Sequence, residues 1–196
     1  MPSSFIKNTS KLLAGNSISQ IIGIISIPII TRLYSVEVYG EFSVILATSL
    51  ILAALSTLSL HLAILIPKND AEAYKILRLA LILVLVSCLM MILVLYFFTI
   101  EIKSLLGISA VNWLLYAIPL LVFFQSIYLI FTYWGVRQKS FGLVGGSKVV
   151  EGVGDRLLAI SIALSGYVSV HSLVFARLLS NIASILYLIP IFRRGT

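Results

Sequence analysis

Four closely spaced ionisable residues form the part of the sequence with the clearest capacity for chemistry. Lys148, Glu151, Asp155 and Arg156 open an otherwise apolar stretch that continues to Gly166. At about 100° per residue, the four share one helical face with small residues, and large aliphatic side chains occupy the opposite face. Such a face can bind an anionic or strongly polar ligand, or it can bind a neighbouring helix.

The free energy of placing this stretch in lipid indicates that its charges do not face acyl chains. On membrane-insertion scales, about nine Leu, Ile and Val residues contribute roughly −4 kcal/mol, whereas three central charges cost roughly +9 kcal/mol. The charges must therefore face a hydrated cavity or other helices. Two interpretations stay open, because the charges can neutralise one another and hold helices together, or some of them can face a ligand.

The composition is that of an integral membrane protein. Of the 196 residues, 60% are hydrophobic and 11% are charged, and the mean hydropathy is +1.12. Such values lie outside the range of ordinary soluble domains. The net charge of +7 comes from basic residues spread between apolar runs without forming a block, so we expect no nucleic-acid partner.

The sequence carries no motif for a cofactor or a metal. Cys88 is the single cysteine and lies in an apolar run, which excludes a disulfide framework and a Cys/His metal set. The glycines of the loop 137–146 lack the spacing of phosphate-binding loops. His61 and His171 are predicted on opposite sides of the membrane, away from any catalytic cluster. We therefore expect no cofactor, no metal and no enzymatic activity.

Six apolar segments are each long enough to cross a hydrocarbon layer of about 30 Å. Their even spacing and short connections favour an antiparallel helical bundle over a β-barrel. We predict an all-α integral membrane protein in which residues 1–196 form a single six-helix bundle. The predicted spans cover residues 12–34, 42–66, 76–100, 111–134, 149–168 and 173–192.

The distribution of Lys and Arg predicts the orientation of the bundle. With a cytoplasmic N-terminus, only Arg32 and Lys103 fall on outside segments, whereas Arg156 and Arg177 lie within spans. Because cytoplasmic segments are enriched in basic residues, both termini are predicted to be cytoplasmic. The ten inside residues are Lys7, Lys11, Lys68, Lys75, Arg78, Arg137, Lys139, Lys148, Arg193 and Arg194.

Polar residues in other spans add candidates for a hydrated path. Asn16 and Gln20 lie on a polar, small-residue stripe of the first span, for which helix packing is the main alternative. Gln125 lies near the middle of the fourth span, where an amide often bridges helices. Arg177 and Asn181 share a face of the sixth span.

The predicted depths of Asp155 and Arg177 argue against a simple ion pair between them. Arg177 lies about four residues into its span from outside, and Asp155 about six residues from inside, which leaves a gap of roughly 15 Å. We therefore expect Asp155 to pair with Arg156 or Lys148, and Glu151 to pair with Lys148.

Three features together resemble the N-terminal half of the polysaccharide flippases. They are a polar first helix that continues into PIITRLYSVEVYGEF at 28–42, a basic RQKSF loop at 137–141, and a charged fifth helix. The chain is thus similar to the Wzx-like O-antigen and oligosaccharide translocases of the multidrug/oligosaccharidyl-lipid/polysaccharide exporter superfamily. It departs from many relatives at Val36, where they have proline.

This resemblance implies a function, a fold and partners. Family members move an undecaprenyl-pyrophosphate-linked oligosaccharide to the outer leaflet of the bacterial inner membrane, for biosynthesis of O-antigen, lipopolysaccharide and other surface polysaccharides. The implied fold is one lobe of a two-lobe transporter that works by alternating access. The implied partners are the lipid-linked oligosaccharide, membrane lipids, and a missing C-terminal lobe or a second chain.

The resemblance also implies roles for individual residues. Arginines in a low-dielectric cavity could bind the diphosphate, and amide side chains could bind sugar hydroxyls; Arg32 could instead extend to lipid headgroups. The substrate-binding candidates are Asn16, Gln20, Arg32, Gln125, Glu151, Asp155, Arg156, Arg177 and Asn181.

Two further functions stay open. A cation-coupled drug exporter of the same superfamily would use Glu151 or Asp155 as its coupling acid, because the first span has no carboxylate. A non-transporting structural membrane subunit is favoured if the charged side chains prove to be fully paired.

Overall fold

A computed structural model of the chain describes residues 2–107 and 112–193, with side chains left out at residues 2–9, 11, 12, 112, 113 and 193. Lys7, Lys11, Arg193 and Arg194, which count among the predicted inside residues, lie outside the described side chains. The described residues are almost wholly helical and contain no strand. Their helices are α1 (Pro2–Leu33), α2 (Val36–Ser56), α3 (Leu60–Ala63), α4 (Asp70–Leu106), a 3-10 helix (Asn112–Tyr116), α5 (Ala117–Arg137), α6 (Phe141–Leu164), α7 (Val170–Leu188) and α8 (Pro190–Arg193).

The predicted class, an all-α membrane protein, is confirmed. Within the described part of the chain, five segments are long and apolar enough to cross a membrane: Leu13–Leu33, Val36–Ser56, Asp70–Leu106, Leu114–Arg137 and Val170–Phe192. The fifth predicted span, 149–168, corresponds to α6, whose 24 residues are also long enough. Its four charged residues make it more polar than the other five segments, so its place in the membrane stays a prediction.

The second helix has different limits from the span predicted over 42–66. Ser35 caps its start, since the side chain accepts a hydrogen bond from a backbone N–H of the first turn. The helix ends at Ser56, because Leu58 and Ser59 adopt left-handed backbone angles, with φ of 45° and 58°. Residues in that region cannot continue a right-handed helix, so the chain turns there into the short α3.

α6 packs between α1 and α7. The contacts of Gly15 with Gly145 and of Ser19 with Gly152 show that α1 and α6 run parallel. A Cβ atom at Gly15 would meet the Gly145 carbonyl, and one at Gly152 would meet the Ser19 hydroxyl. The two backbones therefore approach each other along a line of small residues, called here the α1–α6 seam.

A set of polar contacts anchors the end of α5. Arg137 donates to the carbonyl oxygens of Ile64 at 3.0 Å and Pro67 at 2.7 Å, and it forms an ion pair with Asp70 at 2.8 Å. These contacts tie α5 to the connection between α2 and α4. They hold in place the last turns of α5, which carry Tyr133 and one wall of the site described next.

Candidate functional site

A group of polar side chains inside the bundle, called here the Arg177 cluster, joins α5, α6 and α7. Arg177 donates to Glu151 at 2.7 Å and to Gln125 at 3.2 Å, and it lies 3.5 Å from Asp155. Asn181 donates to the same Gln125 oxygen at 3.2 Å. The side chains of Arg177, Glu151 and Asp155 are only 11%, 16% and 18% exposed, so the cluster is largely shielded within the bundle.

Helical spacing brings these five residues together. Glu151 and Asp155 are four residues apart on α6, and Arg177 and Asn181 are four apart on α7, so each pair lies on one face of its helix. Ser180 hydrogen-bonds the Glu151 carbonyl oxygen at 2.6 Å, which holds the two faces against each other. A pair of carboxylates on α6 therefore meets an arginine and an amide on the antiparallel α7.

The prediction that Asp155 and Arg177 lie too far apart to pair is wrong. The depth estimate relied on span limits set by hydropathy, whereas α6 ends at Leu164 and α7 begins at Val170. Measured from these neighbouring ends, the two residues lie at similar depths. Both acids pair with Arg177, and neither forms the expected ion pair with Lys148 among the described side chains.

Arg156 lies in the α1–α6 seam. Its guanidinium donates to the carbonyl oxygen of Gly152 in its own helix. Gly23 of α1 leaves room for it, since a Cβ atom at that position would lie 2.8 Å from an Arg156 nitrogen. Within the described part of the chain Arg156 forms no ion pair with Asp155, contrary to the sequence-based expectation. Its positive charge therefore sits beside the first helix.

A polar cleft of about 510 Å³, called here the Lys148 cleft, lies between α1, α5 and α6. One end is formed by Glu151, which the cleft shares with the Arg177 cluster. Leu13, Val136 and Val144 line the other end, which faces the predicted cytoplasmic side. The polar lining residues are Asn16, Ser19, Tyr128, Thr132, Tyr133, Lys148 and Glu151.

Two groups in this cleft have polar capacity that the fold does not use. Thr132 is 9% exposed, and its hydroxyl oxygen has no hydrogen-bond partner of normal geometry among the described residues, although the Tyr128 hydroxyl is near enough for a weak hydrogen bond with it. Lys148 forms no ion pair with any described side chain. Since Lys148, Arg156 and Arg177 face only two carboxylates, Glu151 and Asp155, this part of the bundle carries one net positive charge.

The structure separates the sequence-predicted candidates into groups. Gln125, Glu151, Asp155, Arg177 and Asn181 form the cluster, and Asn16 lines the cleft. Arg156 lies in the seam. Gln20 and Arg32 are exposed on α1.

The candidate list from the sequence lacks five polar residues of the cleft: Ser19, Tyr128, Thr132, Tyr133 and Lys148. A signal for two of them is present, because Gln125, Tyr128 and Thr132 recur at intervals of three and four residues and place polar groups on one face of the fourth span. The sequence predicts Lys148 as an ion-pair partner of the acids, but both acids pair with Arg177. The approach of α1 to this face could not be seen from α5 alone.

Other openings in the described structure offer less polar chemistry. Two clefts, of about 550 Å³ and 430 Å³, are lined mostly by apolar side chains. Among the described residues, no group of three His, Cys, Asp or Glu side chains is placed to hold a metal ion. The Lys148 cleft is thus the opening whose lining best suits a charged, hydroxyl-rich ligand.

Comparison with known protein families identifies the family to which the chain belongs. The family model described as polysaccharide biosynthesis protein matches residues 5–196. The chain belongs to this family. Within the polysaccharide biosynthesis protein family, its apolar helices make it a membrane protein and indicate an exporter or flippase role. The resemblance drawn from the sequence is confirmed at the level of the family. No curated protein and no solved structure matches the chain.

Proposed function

We propose that the chain translocates an undecaprenyl-pyrophosphate-linked oligosaccharide across the bacterial inner membrane, for biosynthesis of O-antigen or another surface polysaccharide. In this proposal the chain supplies the N-terminal lobe and works with a second lobe or a second chain. The observation that carries the proposal is a polar cleft that ends at buried charges inside an apolar bundle of this family. Polar and ionisable groups at membrane depth mark substrate paths.

The chemistry of the cleft suits the headgroup of such a glycolipid. A sugar pyrophosphate carries negative charge and many hydroxyl groups, and the cleft offers a cation, an amide and several hydroxyls. The polyprenyl tail can stay in the surrounding lipid. We propose alternating access, in which the lobe rocks against its partner and exposes the polar face to each side in turn.

Arg177 and Arg156 have different parts in this proposal. Arg177 is occupied by Glu151, Asp155 and Gln125, so it positions the helices around the path. Arg156, which carries no ion pair among the described side chains, adds positive potential beside the first helix. The proposal is therefore one of transport, with no bond made or broken by the protein.

Glycan export in a strain that lacks its own flippase tests the proposal. Neutralising either charge, with Arg156→Gln or Arg177→Gln, should abolish surface glycan while the protein still inserts. Arg156→Gln is the cleaner variant because it removes no ion pair. Arg78→Gln on the exposed side of α4 is the matched control and should export normally. Normal export by both test variants would contradict the proposal.

A cation-coupled drug exporter of the same superfamily is the second candidate. The observation that favours it is that Glu151 and Asp155 share Arg177, at 2.7 Å and 3.5 Å, so two carboxylates meet one guanidinium. Proton- or sodium-dependent dye efflux that is lost in Asp155→Asn, with glycan export absent from the wild type, would establish this function instead.

A structural subunit is the third candidate. The pairing within the Arg177 cluster is what such a subunit would need. The ammonium group of Lys148, which lines a polar cleft without an ion-pair partner among the described side chains, favours a transport role over it.

A further inference from the structure

We infer that the Lys148 cleft is the subsite that receives the phosphate-bearing sugar of the translocated glycolipid from the predicted cytoplasmic side. Lys148 binds the phosphate, and the Thr132 hydroxyl bonds the adjoining sugar. This inference rests on the proposed function and adds to it a location within one lobe. It assigns binding to residues outside the Arg177 cluster, among them Lys148, Thr132 and Tyr133.

The charge balance of the cleft selects an anion. Lys148, Arg156 and Arg177 outnumber Glu151 and Asp155 by three to two, which leaves one net positive charge in this part of the bundle. Lys148 and Glu151 both line the cleft, but Glu151 is paired with Arg177 at 2.7 Å. Lys148 has no such partner among the described side chains. A lysine ammonium is a compact donor that suits phosphate oxygens, and its attraction for an anion is stronger in a partly enclosed cleft than in water.

The hydrogen-bonding capacity of the cleft selects a hydroxyl-rich ligand. A buried hydroxyl without a partner, such as that of Thr132, lowers the stability of a fold. A valine would occupy similar space without that cost. The Tyr128 hydroxyl, whose contact with Ser147 is long at 3.5 Å, adds donor capacity to the same wall. A sugar hydroxyl would satisfy both side chains.

The size and shape of the cleft agree with a small headgroup. Its volume of about 510 Å³ lies within the range of roughly 300–1,000 Å³ that small-molecule sites occupy. Tyr133 presents an aromatic ring to the cleft, against which the apolar face of a sugar can pack. His61 supports that ring, with centroids 4.9 Å apart. The tail of the glycolipid does not need to enter.

Binding measurements on the chain in lipid nanodiscs test the assignment of Lys148. The probe is N-acetylglucosamine joined through pyrophosphate to a farnesyl chain. Lys148→Gln should weaken binding about tenfold or more, because a hydrogen bond to a charged group is lost. Lys75→Gln removes the same charge from an exposed site on α4 and should bind as the wild type does. Equal binding by the two variants would overturn the inference.

Two further probes identify the source of the ligand. N-acetylglucosamine-1-phosphate carries the sugar phosphate without the lipid, and farnesyl pyrophosphate carries the lipid without the sugar. Weaker binding of both than of the complete probe supports a glycolipid headgroup. Equal binding of the free sugar phosphate would assign the cleft to a soluble ligand, and equal binding of farnesyl pyrophosphate would remove the sugar from the assignment; either result overturns the inference as stated.

Thr132→Val separates a binding role from a structural one. We expect binding to weaken about three- to tenfold while the thermal midpoint stays equal to or above that of the wild type. Thr48→Val, in an apolar cleft beside α4, should leave binding unchanged. A lowered midpoint with unchanged binding would show that the Thr132 hydroxyl serves the fold. If the wild type binds no glycolipid probe, the proposed function fails together with the subsite. If the wild type binds the probe and Lys148→Gln and Thr132→Val bind it equally well, only the assignment of the subsite is wrong.

Discussion

The Arg177 cluster and the Lys148 cleft lie side by side and share Glu151, but the cations of the two regions differ in the partners they have. In the cluster, Arg177 has two carboxylates and an amide oxygen within reach. In the cleft, Thr132 and Lys148 have no hydrogen-bonding or ionic partner of that kind among the described residues. Arg177 Nε and Asn181 Oδ1 in the cluster also lack a hydrogen-bond partner among the described residues, so the difference lies in the cations. A paired cation holds helices together, whereas an unpaired one beside a polar cleft indicates a place for a ligand.

Removing one positive charge from each region should give the largest difference in the free energy of unfolding between the cluster and the cleft. Arg177→Met leaves two buried carboxylates without a partner, so we expect a loss of about 3–5 kcal/mol in the free energy of unfolding. Lys148→Met leaves no charge unpaired and should change it by less than about 0.5 kcal/mol. Denaturant unfolding of the purified chains in detergent measures both. Adding Glu151→Gln to Arg177→Met should recover part of the loss, and equal losses in the two single variants would contradict the comparison.

The α1–α6 seam forms one wall of the cleft, and substitutions in it should have the next largest effect on stability. Gly15→Ala places a Cβ against the Gly145 carbonyl, which should cost about 1–3 kcal/mol through overpacking. Gly40→Ala, where no atom lies within 4 Å of the added carbon, should instead stabilise its helix by about 0.5–1 kcal/mol. Thermal unfolding of the two variants gives the sign of each change. A stabilising Gly15→Ala would show that the helices can separate without loss.

Substitution of one amide side chain in each region should give the smallest of these differences in stability. Gln125→Leu removes the acceptor shared by Arg177 and Asn181 and should cost about 1–2 kcal/mol, because two buried donors lose a partner. Asn16→Leu, at the exposed edge of the cleft, should cost less than about 0.5 kcal/mol. The same unfolding measurement applies to both. A larger cost at Asn16 would mean that the cleft also stabilises the bundle.

The sequence predicted the class of this protein and the need to shield its charges, because hydropathy and insertion energies depend on composition alone. It did not predict the end of α2. Leu58 and Ser59 are ordinary residues in an apolar run, and only their left-handed backbone angles interrupt the helix. The expected separation of Asp155 and Arg177 failed for a related reason, since hydropathy locates a span more reliably than it locates the helix ends from which depth is measured.

The candidate site was predicted in part. The charged face of α6 and the polar stripe of α1 were visible as periodic patterns, and Asn16 and Glu151 both line the cleft. Thr132 and Tyr133 were not predicted to line the cleft, since a threonine in an apolar span is common and a tyrosine near the end of a span is typical of a membrane interface. They line the cleft because α1 and α6 pack close to α5. The spacing of residues within one helix does not show which other helices pack against it.

The contact between Gly15 and Gly145 has a mechanical consequence. No side chain lies between the two backbones at this point, and they are in direct contact. We therefore expect α1 and α6 to move together as one rigid pair. A tilt of this pair against α5 would change the width of the cleft beside Leu13 and Val136.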